Sequence, residues 1–328
     1  MLGIGILGCG RIGQVHAKSI RTLETARIIA VADAVPEAAA RLATHCQARV
    51  ETAHDLIAAK DVDAVVICTP TDTHFELIHS AAKAGKAIFC EKPVDLSTDR
   101  IKDCIKVVES AGVPFMTGFN RRFDPNFAAL RARLTAGEIA DVELVMILSR
   151  DPAPPPVSYI KSSGGLFRDM MIHDFDMARF LLGEEIETVH AVGSALVDPE
   201  IGLAGDVDTA AVMLTTGSGK ICQISNSRRA TYGYDQRIEV HGARGMLRAE
   251  NQLEHTLEIA TETGFRRAPA QHFFLERYAG AYLAEMSAFV SAVENGSAPK
   301  PSIQDGLHAQ ILADAATVAH TDKRIVKI

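Results

Sequence analysis

Residues 2–14 read LGIGILGCGRIGQ. Gly3–Gly8 is a short apolar run suited to a buried strand, and it leads into Gly8-Cys9-Gly10-Arg11-Ile12-Gly13. Beyond the last glycine, Gln14–Leu23 reads as a helix. Strand, glycine turn and helix in that order give the GxGxxG spacing a physical meaning. Gly8 permits the tight turn, Gly10 lets backbone approach a pyrophosphate, and Gly13 lets helix and strand pack closely. The helix N-terminus, entered through Arg11 and Ile12, offers N–H donors and positive dipole to phosphates. A second apolar run, Ile28–Ala32, ends at Asp33, twenty residues past Gly13. A carboxylate there accepts hydrogen bonds from both ribose hydroxyls and repels a 2′-phosphate. Ala34-Val35-Pro36-Glu37 supplies no arginine to reverse that preference. The expected cofactor is NAD rather than NADP; the competing reading is a glycine turn without a ligand.

Outward from this turn the alternation continues. Ala64–Ile67, Ala87–Cys90 and Phe115–Gly118 read as strands, Thr71–Ala84 and Ser97–Ala111 as helices. Short apolar strands alternating with amphipathic helices imply a doubly wound parallel sheet covered on both faces. Residues 1–119 are therefore expected to form a dinucleotide-binding Rossmann domain. Ligands of such sheets bind beyond the carboxyl ends of the strands, and two of those ends carry chemistry. Cys68-Thr69-Pro70-Thr71 closes one strand, with His74 following, and Cys90-Glu91-Lys92-Pro93 closes the next. Lysine at a strand end is ordinarily a solvated surface residue; here it would lie near a nicotinamide. Pro93 keeps Lys92 out of helical conformation.

From residue 120 the pattern changes. Asn126–Ala136 is helical, and Val142–Arg150, Thr188–Val197, Thr209–Thr215, Lys220–Arg228, Gln236–His241 and Met246–Ala249 read as strands. Gly217-Ser218-Gly219 and Ala243-Arg244-Gly245 are hairpin turns. Consecutive strands imply antiparallel pairing, so residues 120–328 are expected to be an α+β domain with one large, mostly antiparallel, open sheet. Helices at Asp169–Leu182, Phe274–Glu294 and Gln304–His320 are expected to cover one face. The other, carrying Ala211/Met213 and Ile221/Gln223/Ser225, is expected to join subunits of a homo-oligomer.

Within that half, Gly164–Gly183 reads GGLFRDMMIHDFDMARFLLG. Met171, Phe175, Ala178 and Leu182 recur on one helical face, and Gly183 is placed as a stop. Asp169 and His173, four apart, stack on another face as a carboxylate–imidazole pair. The plainer reading is a capping aspartate and a packed histidine. Asp151-Pro152-Ala153-Pro154-Pro155-Pro156 is a stiff extended loop, placed to form a pocket rim. Tyr232-Gly233-Tyr234-Asp235-Gln236 joins two strands with groups suited either to a sugar site or to shielding the core. Arg121/Arg122 and Arg228/Arg229 raise a phosphorylated substrate; the preferred reading is that some are structural and one binds hydroxyl pairs.

Composition is that of a globular protein: 328 residues, 47% hydrophobic and 23% charged, with a net charge of −7. A dispersed negative balance argues against nucleic acid or anionic membrane as partner. No apolar run reaches the roughly 20 residues of a membrane span. The apolar N-terminus lacks a charged leader and reads as a strand. Six cysteines without metal-type spacing fit a reducing cytoplasm.

A nicotinamide reacts by hydride transfer, so an alcohol substrate also needs a base and a cation near its oxygen. Histidine titrates near neutrality, so His173 is the candidate base, with Asp169 fixing its tautomer. Lys92 is the candidate cation. A metal mechanism would need a third ligand and would disfavour a neighbouring lysine, so no metal is expected.

The Gly8–Gly13 turn, the Glu-Lys-Pro of residues 91–93 and the Asp169/His173 segment together resemble the glucose–fructose oxidoreductase/inositol dehydrogenase family, over essentially the whole chain. GFNRRFDPNF (Gly118–Phe127), SRDPAPPP (Ser149–Pro156), GGLFRDMMIHDFDMARFL (Gly164–Leu181) and ATYGYDQRIEVHG (Ala230–Gly242) look most like its inositol 2-dehydrogenases. The resemblance implies NAD-dependent oxidation of myo-inositol to 2-keto-myo-inositol by a tetramer. It implies Lys92, Asp169 and His173 as the catalytic set, and Arg122, Asp151 and Tyr232 or Tyr234 as substrate contacts. It places Thr69, Pro70, His74, Glu91 and Asn120 near the dinucleotide. Another inositol isomer, an aldose, or a dinucleotide sensor without turnover are the alternatives. Cys9 stands where a small alanine is expected, which makes oxidation of the turn a question for the structure.

Overall fold

The computed structural model describes residues Met1–Ile328. Two compact units emerge: Met1–Phe123 with Gly280–Gln310, and Asp124–Ala279 with Ile311–Ile328. The first begins β1 (Leu2–Leu7), α1 (Arg11–Ile20), β2 (Ala26–Ala32), α2 (Pro36–Cys46), β3 (Arg49–Val50), α3 (Ala53–Ala58), β4 (Ala64–Ile67), α4 (His74–Lys83), β5 (Ala87–Glu91), α5 (Thr98–Ala111) and β6 (Phe115–Gly118). The strands pair in the order β3-β2-β1-β4-β5-β6, all parallel. Their near-continuous apolar character follows from burial on both faces. Ile4, Ile6, Val66 and Phe89 pack with Ala17 and Ile20 of α1; Val65, Ile67 and Ile88 pack with Ile78 of α4 and Ile101 of α5. β2 and β4 flank β1 on opposite sides, so the glycine turn after β1 lies where the strand order reverses. That is the position at which such sheets take their ligands.

The chain continues through α6 (Pro125–Thr135), β7 (Val142–Arg150), α7 (Val157–Ser163), α8 (Gly165–Asp169), α9 (Ile172–Leu182), β8 (Ile186–Ser194), α10 (Pro199–Leu203), β9 (Thr209–Thr216), β10 (Ile221–Ser227), β11 (Asp235–Gly242), β12 (Gly245–Ala249), β13 (Glu258–Thr261) and β14 (Gly264–Arg267). It ends through α11 (Phe274–Arg277), α12 (Ala279–Glu294), α13 (Ile303–Asp322) and β15 (Val326–Lys327). Seven strands form one sheet in the order β12-β11-β7-β10-β9-β8-β15. It is mostly antiparallel, with one exception: β7 and β10 run parallel. The expected hairpins β9–β10 and β11–β12 are both present. Each uses up one edge of its strands, so β7 and β10, far apart in sequence, meet along their remaining edges. α9 packs on β7 and β10 and covers one face.

Two helix expectations change. The run Phe274–Glu294 breaks at Tyr278 into α11 and α12, and α12 does not lie on the second sheet. Its Met286, Phe289 and Val290 belong to the core of the first unit, with Ile4, Ile6 and Phe89. α6 is fastened by Asp124, whose Oδ1 accepts from the N–H groups of Asn126 and Phe127 at 3.1 and 3.2 Å. The same carboxylate takes the buried Arg277 guanidinium. No helix is long and apolar enough to cross a membrane.

Candidate active site

At the carboxyl end of β1 the backbone of Gly8 has φ +97°, and a Cβ there would lie 2.6 Å from the Cys68 carbonyl. Handedness and close approach both demand glycine. A Cβ on Gly13 would fall 1.9 Å from the Gly8 carbonyl oxygen, so α1 meets the turn only without a side chain. Gly10 differs: a Cβ there meets nothing within 4 Å. The open space lies at the start of α1, whose first turn contains Arg11 and Ile12 and no acidic residue. Helix formation begins at Arg11 rather than Gln14, because Gln14 N–H already donates to Gly10 O at 3.0 Å. Asp33, just past β2, accepts from Cys9 N–H at 2.5 Å and from Val35 N–H at 2.8 Å. These bonds fix the carboxylate beside the turn and leave lone pairs for a ribose diol. The residues fit a dinucleotide: amides and dipole for the pyrophosphate, Asp33 for the adenosine ribose. Burial, then the charge of Asp33, push the Cys9 thiol up to about 12, which keeps it protonated and unreactive.

After β4, Thr69 and the exposed Pro70 lead into a single 3₁₀ turn over Thr71–Thr73, so α4 opens at His74 rather than at Thr71. His74 is 1% exposed, with Nε2 2.9 Å from Thr69 O and Nδ1 3.0 Å from Pro93 O. It therefore ties the exits of β4 and β5 together. Burial lowers its pKa, against the two carbonyls that favour a protonated ring. At the end of β5, Glu91 Oε1 lies 2.6 Å from Nε2 of the fully buried His16, and Oε2 accepts the Lys92 N–H at 3.2 Å. Lys92 is half-buried immediately beyond. The His16–Glu91 pair escaped the sequence reading, although His16 sits one turn past Gly13 on the inner side of α1.

Asp169 and His173 do not share one continuous helix. α8 ends at Asp169, and α9 begins at Ile172. At the joint Met171 N–H reaches back five residues to Leu166 O at 2.9 Å, and Asp174 N–H reaches back three to Met171 O at 2.9 Å. Met170, Met171 and Ile172 are all buried, as are Asp174–Ala178 within α9, so the segment is enclosed on nearly every side. The Nδ1 of His173 is buried in this segment. Along Met170–Ala178 His173 alone keeps partial solvent access. The stripe Met171, Phe175, Ala178 and Leu182 is buried as expected, and Gly183 ends α9 in the left-handed region at φ +67°. Asp169 does not cap a helix. Its Oδ1 accepts from Tyr159 Oη at 3.0 Å, and its Oδ2 lies 3.8 Å from Arg228 Nη2.

The remaining candidates are placed as follows. Asn120 is buried in a 3₁₀ turn after β6. Arg122 Nη2 donates to Asp305 Oδ1 at 3.0 Å. Burial opposes ionisation of Asp305, but Arg122 and Ser302 outweigh it and hold the carboxyl below its ordinary range. Asp151 follows β7, and its N–H donates to Ser227 O at 3.0 Å. Tyr232, half exposed, donates to Asp235 Oδ2 at 2.7 Å and accepts from Arg150 Nη1 at 3.1 Å. Tyr234 is buried edge-to-face against Tyr278, with ring centroids 5.9 Å apart. Of the two tyrosines, Tyr232 presents a ring to solvent.

Residues 2–119 match the oxidoreductase family with an NAD-binding Rossmann fold, and residues 127–248 match the GFO/IDH/MocA C-terminal domain. Over 324 residues the chain is 56% identical to the inositol 2-dehydrogenase of Rhizobium meliloti, covering 99% of this chain and 98% of that one. It is similar to the crystal structure of a myo-inositol dehydrogenase from Corynebacterium glutamicum, with TM-score 0.96 at 40% identity, over 100% and 99% of the two chains. The scyllo-inositol dehydrogenase of Lactobacillus casei, solved with bound NAD(H) and scyllo-inositol, gives TM-score 0.93 at 33% identity, again over 100% and 99%.

Proposed function

The chain belongs to the GFO/IDH/MocA family of NAD-binding oxidoreductases, and from that premise we propose that it oxidises a secondary hydroxyl of a cyclic polyol, myo-inositol to 2-keto-myo-inositol. NAD, when bound, supplies the hydride acceptor. The glycine turn, Arg11, Ile12 and Asp33 hold it, with Thr69, Pro70, Glu91, Lys92 and Asn120 near the dinucleotide and the buried His74 bracing the exits of β4 and β5 behind them. His173 takes the hydroxyl proton on its imidazole. Asp169 holds that ring in the required tautomer and stabilises its protonated form. Lys92 donates to the reacting oxygen and favours its negative character. Arg122, Asp151 and Tyr232 hold the other hydroxyls, whereas Tyr234 is buried against Tyr278.

The observation that carries this reading is the partial solvent access that His173 alone keeps within the buried run Met170–Ala178, four residues past a carboxylate held by Tyr159. The substrate class is supported by the relatives, whose names are those of inositol dehydrogenases. The reading includes a homotetramer joined through the open face of the seven-stranded sheet. It also includes residence in the cytoplasm, which suits six cysteines held as thiols. The test is NAD reduction across inositol isomers and aldoses, compared by kcat/KM. Protein that binds NADH yet reduces NAD with none of them overturns the proposal. His173→Ala is expected to lower kcat about a hundredfold or more while NADH affinity holds.

A further inference from the structure

β10 turns a row of side chains toward the α8–α9 segment: Cys222, Ile224, Asn226 and, one step past the strand, Arg228. All four are at most 1% exposed. The row changes character along its length. Cys222 and Ile224 are apolar packing, whereas Asn226 and Arg228 each meet a carboxylate of that segment. Asn226 Nδ2 donates to Asp174 Oδ2 at 2.9 Å, and Arg228 Nη2 stands 3.8 Å from Asp169 Oδ2. The Arg228 backbone is pinned as well, its N–H donating to Asp208 O at 2.8 Å.

Arginine stays protonated at any pH a protein survives, and a buried guanidinium is strongly unfavourable unless an opposite charge faces it. Nε and Nη2 of Arg228 are buried with no hydrogen-bond partner. Compensation therefore comes from the charge of Asp169 rather than from a network of neutral acceptors. The guanidinium is too enclosed to touch a substrate, phosphorylated or not. We infer that Arg228 is a positioning residue: it acts through Asp169, holding that carboxylate in place so that it can orient His173. Tyr159, on the other oxygen of Asp169, completes the mount. This rests on the proposed role of Asp169 toward His173.

A double-mutant cycle tests it, with Arg228→Met, Asp169→Asn and the combination compared for kcat, KM, NADH affinity and thermal unfolding. Arg228→Met is expected to lower kcat about tenfold to a hundredfold, with KM and NADH affinity nearly unchanged. In the Asp169→Asn background the same change is expected to cost nothing further in kcat. Arg228→Lys, which keeps the charge, is expected to restore most of the rate. If Arg228→Met fails to fold, Arg228→Gln takes its place in the cycle. Additive losses in kcat, a rise in KM alone, or no rescue by lysine overturns the inference. Wild-type protein inactive toward every polyol would instead defeat the proposed function. In that case coupling between Arg228 and Asp169 in thermal unfolding would mark the pair as structural only, and the positioning role would fall with it.

Discussion

Cys9 occupies the middle of the glycine turn, yet its thiol faces inward, 3.7 Å from Ala32 O and fully buried. A rise from 9.0 to about 12 cuts the thiolate fraction about a thousandfold near neutrality, and thiolate is the species that reacts. The expected outcome is that native protein at pH 8 keeps Cys9 unmodified by iodoacetamide. Mass spectrometry of the N-terminal peptide, with urea-unfolded protein as the reactive control, reads the result. Rapid native alkylation of Cys9 would show that the turn opens. The residues of this turn were legible in the sequence because their demands are local: the spacing of Gly8, Gly10 and Gly13, and Asp33 at the end of the next strand. Arg228 was legible only as one of a pair of arginines. Its meaning depends on Asp169, 59 positions earlier (228 minus 169), and sequence spacing carries no signal of that contact.

One element, the β1–α1 turn, holds glycines under two different structural demands. Gly13→Ala places a methyl 1.9 Å from a backbone oxygen that cannot move without shifting β1, so a loss of roughly 1–3 kcal/mol or more is expected. Gly10→Ala places its methyl in open space, and the fold is expected to keep its melting temperature. What Gly10→Ala is expected to lose is NADH affinity, by tenfold or more, since the methyl fills the space proposed for the pyrophosphate. Melting curves and NADH fluorescence titrations of the two variants check this; equal effects on both would undo the assignment of the cradle. The α8–α9 joint shows where periodicity stops informing. Met171, Phe175, Ala178 and Leu182 keep the same spacing whether the helix starts at Asp169 or at Ile172, so the stripe was read correctly and the break was not. The break separates α8 from α9 without disturbing the stripe that anchors α9.

At the scale of the whole molecule, the longer strands were legible, the short β3, β13, β14 and β15 were not, and the pairing was only partly so. Hairpin turns announce neighbours in sequence, but nothing local announces that β7 lies parallel to β10, or that α12 returns to the first unit. An apolar helix with Met286, Phe289 and Val290 would suit either core. The open face of the seven-stranded sheet has a physical demand of its own. His190 pairs with Met213 and Met213 with Gln223, while Val192 pairs with Ala211, all on the side away from α9. Val192 is 57% exposed, Met213 42% and Ile221 39%. Apolar side chains gathered on one face of a broad sheet are stabilised by covering. A like face on a second copy would cover them by stacking sheet on sheet. The expected outcome is a tetrameric wild-type species in sedimentation at micromolar concentration. Met213→Glu combined with Ile221→Glu is expected to sediment as a smaller species with NADH affinity intact, because neither residue lies in the core of either unit. Wild-type protein that sediments as a monomer removes the interface, and so does a doubly charged variant that remains tetrameric, since buried carboxylates cannot be accommodated there without partners.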